Sequence, residues 1–235
     1  MTTLTTTDPR SGTSRETDLH QTGADQVAAI TARAGAAFEH LRERSRTWRA
    51  GLLRALADGL EADRDSLVDA ALGETGLAEA RLTGELSRSA FQLRLFADAV
   101  AEGGYLEAMI DHAGDTPLGP GPDVRRMLVP IGPVGVFGAS NFPFAFSVVG
   151  GDTASALAAG NPVVIKAHSS HPVTSQRSFA SLQRAAAAYG APEGTFGIVY
   201  GQQAGSVLVA VPVITFFLIV QTRMTQGLVS GAVKG

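Results

Sequence analysis

Asn141, Lys166 and several glycines set behind short apolar runs are the residues of this chain whose types and spacing could do chemistry. In VGVFGASNFPFAF, residues 134–146, Gly135 and Gly138 frame an apolar run that reads as a buried strand, and Asn141 follows it directly. An amide at the C-terminal end of a parallel strand can donate a hydrogen bond to an oxyanion. Such a donor needs a nucleophile to serve, and the 235 residues contain no cysteine. A thiolate nucleophile, a disulfide and a sulfur-ligated zinc are therefore excluded from within them.

The second stretch is AAGNPVVIKAHSSHP, residues 158–172. Gly160 and Asn161 make a turn after a helix, Pro162 opens a strand, and Lys166 stands at its C-terminal end, where open α/β sheets bind ligands. Lys166 is one of two lysines against seventeen arginines. A compact ammonium there suits hydrogen bonding to ribose hydroxyls, and a solvated strand-end cation is the alternative. His168 and His171 are three apart in a Ser-rich loop with no third ligand nearby, so no metal site is expected. Ser169, Ser170 and His171 can instead cap the next helix or offer hydroxyls to an anion. Gly201 and Gly205, in YGQQAG, stand between a strand and a helix, a spacing that ordinary strand-to-helix turns also produce.

These residues need a scaffold, and 45% hydrophobic content allows one with a real core. A net charge of −3 with acids and bases interspersed leaves no basic footprint for nucleic acid. The apolar run at 207–220 is interrupted by Pro212 and falls short of the ~20 residues a membrane helix needs, so it reads as a buried strand. The N-terminus lacks the apolar centre of a secretory signal, and a cytoplasmic protein is expected.

Residues 1–22 are Thr- and Ser-rich without periodicity and read as a flexible or extended arm. Over 23–110, helical spacing (Leu52, Leu53, Leu56 and Leu60; Leu86, Leu93, Phe96 and Val100) predicts three or four helices. Residues 111–126, dense in Gly, Pro and Asp, read as a turn-rich connection. From 127 to 235, short apolar runs alternate with helical segments: strands near 134–137, 163–166, 196–200 and 215–220, helices near 146–159 and 173–189 and from about 205. That alternation predicts a Rossmann-like parallel sheet with flanking helices, behind an N-terminal helical layer.

Taken together, GPVGVFGASNFPF (132–144), ALAAGNPVVIKAHSSHP (156–172) and APEGTFGIVYGQQAG (191–205) resemble the aldehyde dehydrogenase superfamily. ETGLAEARLTGELSRSAFQLRLFA (74–97) is similar to the branch that oxidises 2-oxoglutarate semialdehyde, also called 2,5-dioxovalerate. The resemblance spans about 24–209 and implies an NAD(P)-dependent oxidoreductase that turns a carboxylated aldehyde into its acid. Position by position it implies that Asn141 is the oxyanion donor, that Phe137, Gly138, Ala139 and Ser140 lie along the cofactor, and that Lys166 holds the adenosine ribose. His168, Ser169, Gly201 and Gly205 fall on the cofactor side, and Phe142, Phe146 and Val149 line the aldehyde tunnel. Ser169 occupies the place where NAD-preferring members carry a glutamate, which implies NADP, or NAD with tolerance of NADP. Arg81, Arg88 and Arg94 are candidates for the substrate's carboxylate, with a solvated or ion-paired face the stronger reading for any one of them.

The resemblance also implies that the thiol nucleophile, the water-activating glutamate and the oligomerisation strand of these homo-oligomeric enzymes lie beyond residue 235. Gln221-Thr222 stands where the family has a Gly-Ser turn against the pyrophosphate. The expectation is thus a truncated aldehyde dehydrogenase fold, inactive as an isolated chain, or a non-catalytic remnant that binds NADP or a partner.

Overall fold

The computed structural model describes residues 2–210. Strands β1 (Thr3–Thr7) and β2 (Ser14–His20) pair antiparallel, and four helices follow: α1 (Ala24–Leu41), α2 (Arg46–Ala62), α3 (Arg64–Thr75) and α4 (Glu79–Glu102). The start of α2 is set by Ser45, whose side chain accepts from the Trp48 amide at 3.1 Å, one of the donors a helix leaves unpaired. Along α2, Leu52, Leu53, Leu56 and Leu60 recur at helical intervals, and all are buried against α4 and α6 (Pro172–Tyr189). Burial of each is worth roughly 1.5–3 kcal/mol, which gives the helical layer its hold on the rest.

The sheet is β7 (Val134–Phe137), β8 (Val163–Lys166) and β9 (Phe196–Val199), parallel, in the order β7-β8-β9. The crossovers are α5 (Gly151–Ala158) and α6. Central β8 is apolar on successive residues because both faces are covered. Val163 and Ile165 join the core made with α2, α4, α5 and α6, whereas Val164 joins a second core with Val27 and Ala34 of α1 and with Ala204 and Leu208. The register places Phe137, Lys166 and Val199 in one row. That row is the C-terminal edge on which the candidate residues sit.

The expected architecture is present, with differences at its margins. The Thr-rich start forms the β1-β2 hairpin, because its hydroxyls find partners: the Thr6 hydroxyl donates to the buried Glu74 at 2.6 Å. Residues 109–126 form two small antiparallel pairs, β3 (Met109–Asp111) with β6 (Val124–Arg126) and β4 (Gly114–Thr116) with β5 (Gly119–Gly121). Met109, Ile110, Leu118, Met127 and Leu128 of this ribbon and its exit are exposed. The helix expected from Phe146 begins at Gly151, since residues 143–150 are spent on turns, and the last helical segment begins at 202 rather than 205. Residues 207–210 of the run read as a strand are helical, while the strand expected at 215–220 lies outside the described residues. No described helix is long and apolar enough to cross a membrane.

Candidate functional site

The turn after β7 is pinned by side chains from three directions. The Gly138 amide donates to the Lys166 carbonyl at 3.1 Å, and a Cβ at Gly138 would lie 2.7 Å from the Ser147 hydroxyl, so only glycine fits without a shift. His171, fully buried at the head of α6, has its Nε2 at 2.8 Å from the Ala139 carbonyl. A carbonyl only accepts, so Nε2 carries the proton and Nδ1 faces the Ser175 hydroxyl at 3.2 Å. Arg81 of α4 donates to the Asn141 carbonyl at 2.8 Å. Glu85 of α4, also buried, accepts from the amides of Phe144 (2.8 Å) and Ala145 (2.9 Å) through one oxygen, and its other oxygen is buried without a partner.

Asn141 itself is exposed, and its side-chain amide makes no hydrogen bond among the described residues. The backbone under Asn141 is held while its side-chain amide stays free to donate to an incoming oxygen. Beside it, the rings of Phe142 and Phe146 meet edge to face with centroids 5.1 Å apart. Arg81 lies over Phe142 at 5.3 Å and Arg88 over Phe146 at 5.1 Å. Val149, expected on the same wall, is instead packed into the main core. Arg94 is bound to Glu61 (2.7 and 2.9 Å) and Asp58 (2.6 Å) of α2 and leaves the group of arginines near the turn. That pairing holds the Glu61 carboxyl below its usual range.

The turn after β8 carries Lys166, His168 and Ser169. Lys166 is partly buried and has no hydrogen-bond or ion-pair partner among the described residues, and desolvation holds its ammonium below the ordinary lysine range. Its Cγ and Cε lie 3.4 and 3.5 Å from where a Cβ on Gly205 would stand, with Phe137 Cε1 at 3.5 Å. The last residues of β7 and β8 therefore converge over Gly205 on the 202–210 helix. Gly201 opens that helix with φ +93°, a left-handed conformation that favours glycine. Gly205 thus lets the Lys166 stem and the Phe137 ring pack against the helix backbone, and the ammonium is left as a donor without a partner among the described residues.

Burial, then the neighbouring His171 and Lys166, hold the His168 imidazole below its usual value. Among the described residues no three His, Asp or Glu side chains group as metal ligands. His168, Ser169 and Gly201 share a cavity of about 220 Å³. Gln221-Thr222 lies outside the described residues.

Several supporting residues carry no motif. Glu74 of α3 accepts from the amides of Val173 and Thr174 at the start of α6 and from the hydroxyls of Thr6 and Thr174. Asn161 accepts from the amides of Ile131 and Gly132 and fixes the entry to β7. Burial, then the charge of Glu74, pushes the Tyr200 phenol well above its ordinary value. Glu85 had one legible signal, an acid three residues from Leu82 and one from Leu86 within an apolar stripe; Glu74 and His171 had less.

The sequence matches the aldehyde dehydrogenase family profile over residues 2–222. The chain belongs to the aldehyde dehydrogenase family. Among curated members of that family, the alpha-ketoglutaric semialdehyde dehydrogenase 2 of Azospirillum brasilense is 48% identical over 182 residues, 76% of this chain and 34% of that protein. The alpha-ketoglutaric semialdehyde dehydrogenase of Acinetobacter baylyi is 42% identical over 81% of this chain and 36% of that protein. The chain thus spans about a third of the length of these curated relatives. In structure it is similar to an NAD-dependent benzaldehyde dehydrogenase from Corynebacterium glutamicum, with TM-score 0.74, 26% identity, and coverage of 88% of this chain and 43% of that one. Such neighbours bear out a partial aldehyde dehydrogenase fold.

Proposed function

We propose that this chain is the cofactor-binding part of an NADP-preferring aldehyde dehydrogenase that oxidises a carboxylated semialdehyde of the 2-oxoglutarate semialdehyde type. One observation carries the reading: the turns after β7 and β8 meet at a single sheet edge, with Asn141 on a pinned backbone on one and a partly buried Lys166, unpaired among the described residues and packed against Gly205, on the other. Lys166 would hold the adenosine ribose, with His168 and Ser169 beside it and Gly201 and Gly205 beneath. Phe137, Gly138, Ala139 and Ser140 would run along the dinucleotide. The bound cofactor supplies hydride acceptance, which none of the side chains offers.

The chain's own residues position and stabilise. Asn141 donates to the oxygen of the aldehyde as negative charge grows on it. Phe142 and Phe146 shield that carbon from water, while Arg81 and Arg88 beside these rings offer guanidinium groups to the substrate's distal carboxylate. The names of the curated relatives support this substrate class. The exposed apolar ribbon around 109–128 supports self-association of the homo-oligomeric kind that the family resemblance implies.

A second reading uses Lys166 and its turn alone: a module that binds NADP without turning over an aldehyde. Calorimetric titration of the folded chain with NADP, alongside the Lys166→Ala variant, tests both. Saturable binding, weakened about tenfold by the substitution, is expected, since a charge-assisted hydrogen bond is worth about 1.5–3 kcal/mol. A folded chain that gives no heat with NADP or NAD overturns both readings; binding accompanied by aldehyde turnover overturns the second.

A further inference from the structure

Only two sulfur atoms occur among the described residues, those of Met109 and Met127, and they lie on one cavity. Met109 of β3 and Met127, just after β6, line a space of about 360 Å³ together with Arg126. The antiparallel register sets Met109 directly opposite Arg126, and the Leu128 amide donates to the Leu106 carbonyl at 2.8 Å, which ties the two chains together beside the methionines. Met109 is 46% exposed and Met127 59%, so both thioethers are open to small solutes.

The two sulfurs differ in what touches them. The Arg126 guanidinium lies against Met109 Sδ, with Nε at 3.1 Å and Nη2 at 2.6 Å, whereas no hydrogen-bond donor among the described residues reaches the Met127 sulfur. A thioether sulfur is a weak acceptor. Its two lone pairs are not equivalent in a protein, because an oxygen added at one or at the other gives opposite sulfoxide epimers. With one lone pair of Met109 turned to Arg126, the other is left to an electrophile.

We propose that this cavity is an oxidation site, at which hydrogen peroxide converts Met109 and Met127 to sulfoxides, with Arg126 selecting one epimer at Met109. In the step a sulfur lone pair forms a bond to one peroxide oxygen as the O–O bond breaks. The proton on the transferred oxygen passes to the departing hydroxide, which leaves as water. Sulfur is oxidised by two electrons and the peroxide is reduced by two. Two flexible apolar side chains of the exposed ribbon thereby become polar and chiral, a change that methionine sulfoxide reductases reverse. The inference is independent of the aldehyde site.

The test treats the full chain with hydrogen peroxide in the presence of free methionine and follows each sulfur by peptide mass mapping. Exposing the oxidised peptides to each of the two stereospecific sulfoxide reductases then counts the epimers. Both sulfoxides are expected to form within about threefold of the rate of free methionine, as exposed thioethers do, with one epimer in excess by about fivefold or more at Met109 and near parity at Met127. Arg126 is exposed, so Arg126→Gln leaves both cores untouched and should bring Met109 to parity as well. If both thioethers survive while free methionine is consumed, the cavity is not an oxidation site. Equal epimers at Met109 in the unaltered chain, or an excess that persists in Arg126→Gln, would overturn selection by the arginine.

Discussion

Two buried carboxylates, Glu74 and Glu85, reach from neighbouring helices to the segments that follow β8 and β7 at the same sheet edge, and they are used differently. Glu74 meets four donors, two backbone amides and two hydroxyls, and so welds the start of α6 to α3 and to the N-terminal hairpin. Glu85 gives one oxygen to two amides of the turn that carries Asn141 and leaves the other buried and unpaired. A saturated carboxylate makes a rigid joint. An unsaturated one holds its turn through a single atom, and the rest of the hold passes to Arg81 and His171.

Conservative substitution should separate the two. Glu74→Gln replaces an acceptor that has two donors with an NH2 that opposes them, and should cost about 2 kcal/mol, against roughly 3–5 kcal/mol for Glu74→Ala. Glu85→Gln can turn its NH2 to the position that has no donor, and should cost less than about 1 kcal/mol. Denaturant unfolding of the three variants measures this. Equal losses for Glu74→Gln and Glu85→Gln would mean that the second oxygen of Glu85 meets a donor, and the contrast would vanish.

A finer test concerns the sharing of the hold on the Asn141 turn. His171→Ala removes the donor to the Ala139 carbonyl from a fully buried site and should cost about 2 kcal/mol. Amide hydrogen exchange should rise more over residues 139–142 than over 173–178, where Glu74 still holds. Exchange that rises only in α6 would show that the histidine serves the helix and not the turn.

The smallest effect is expected from His168 on the other turn. Burial holds its folded-state pKa below the unfolded value near ~6.5, so the unfolded chain binds more protons between the two values. Its share of stability is complete above the unfolded pKa and declines as pH falls toward the folded one. Proton NMR of the ring should give a midpoint below the ~6.5 of an unperturbed histidine; a midpoint at or above that value would mean that the turn after β8 is open to water.

What the sequence made legible follows from the range of the interactions involved. VVIK reads as a central strand because burial on both faces needs only four adjacent residues, and the leucines of α2 read as a helix face because their spacing is local. Asn141 and Lys166 could be placed on one edge because both follow such runs directly. The hairpin could not be read, since its Thr6 is satisfied by a carboxylate 68 residues away. Glu74 acts on a helix 99 residues downstream, and Val149 looked available for a tunnel wall only because nothing local says which way a turn residue faces.

The tie between Thr22 and Tyr200 spans 178 residues. At a synthesis rate of about 5–20 residues per second, the hairpin emerges on the order of 10–40 s before the strand it docks on. Through that interval it must stay hydrated without clinging to nascent helices, and residues 2–22 contain only two aliphatic side chains, Leu4 and Leu19. The threonine-rich composition that reads as a disordered arm is thus suited to a segment that lives as one until the ribosome has delivered its partner.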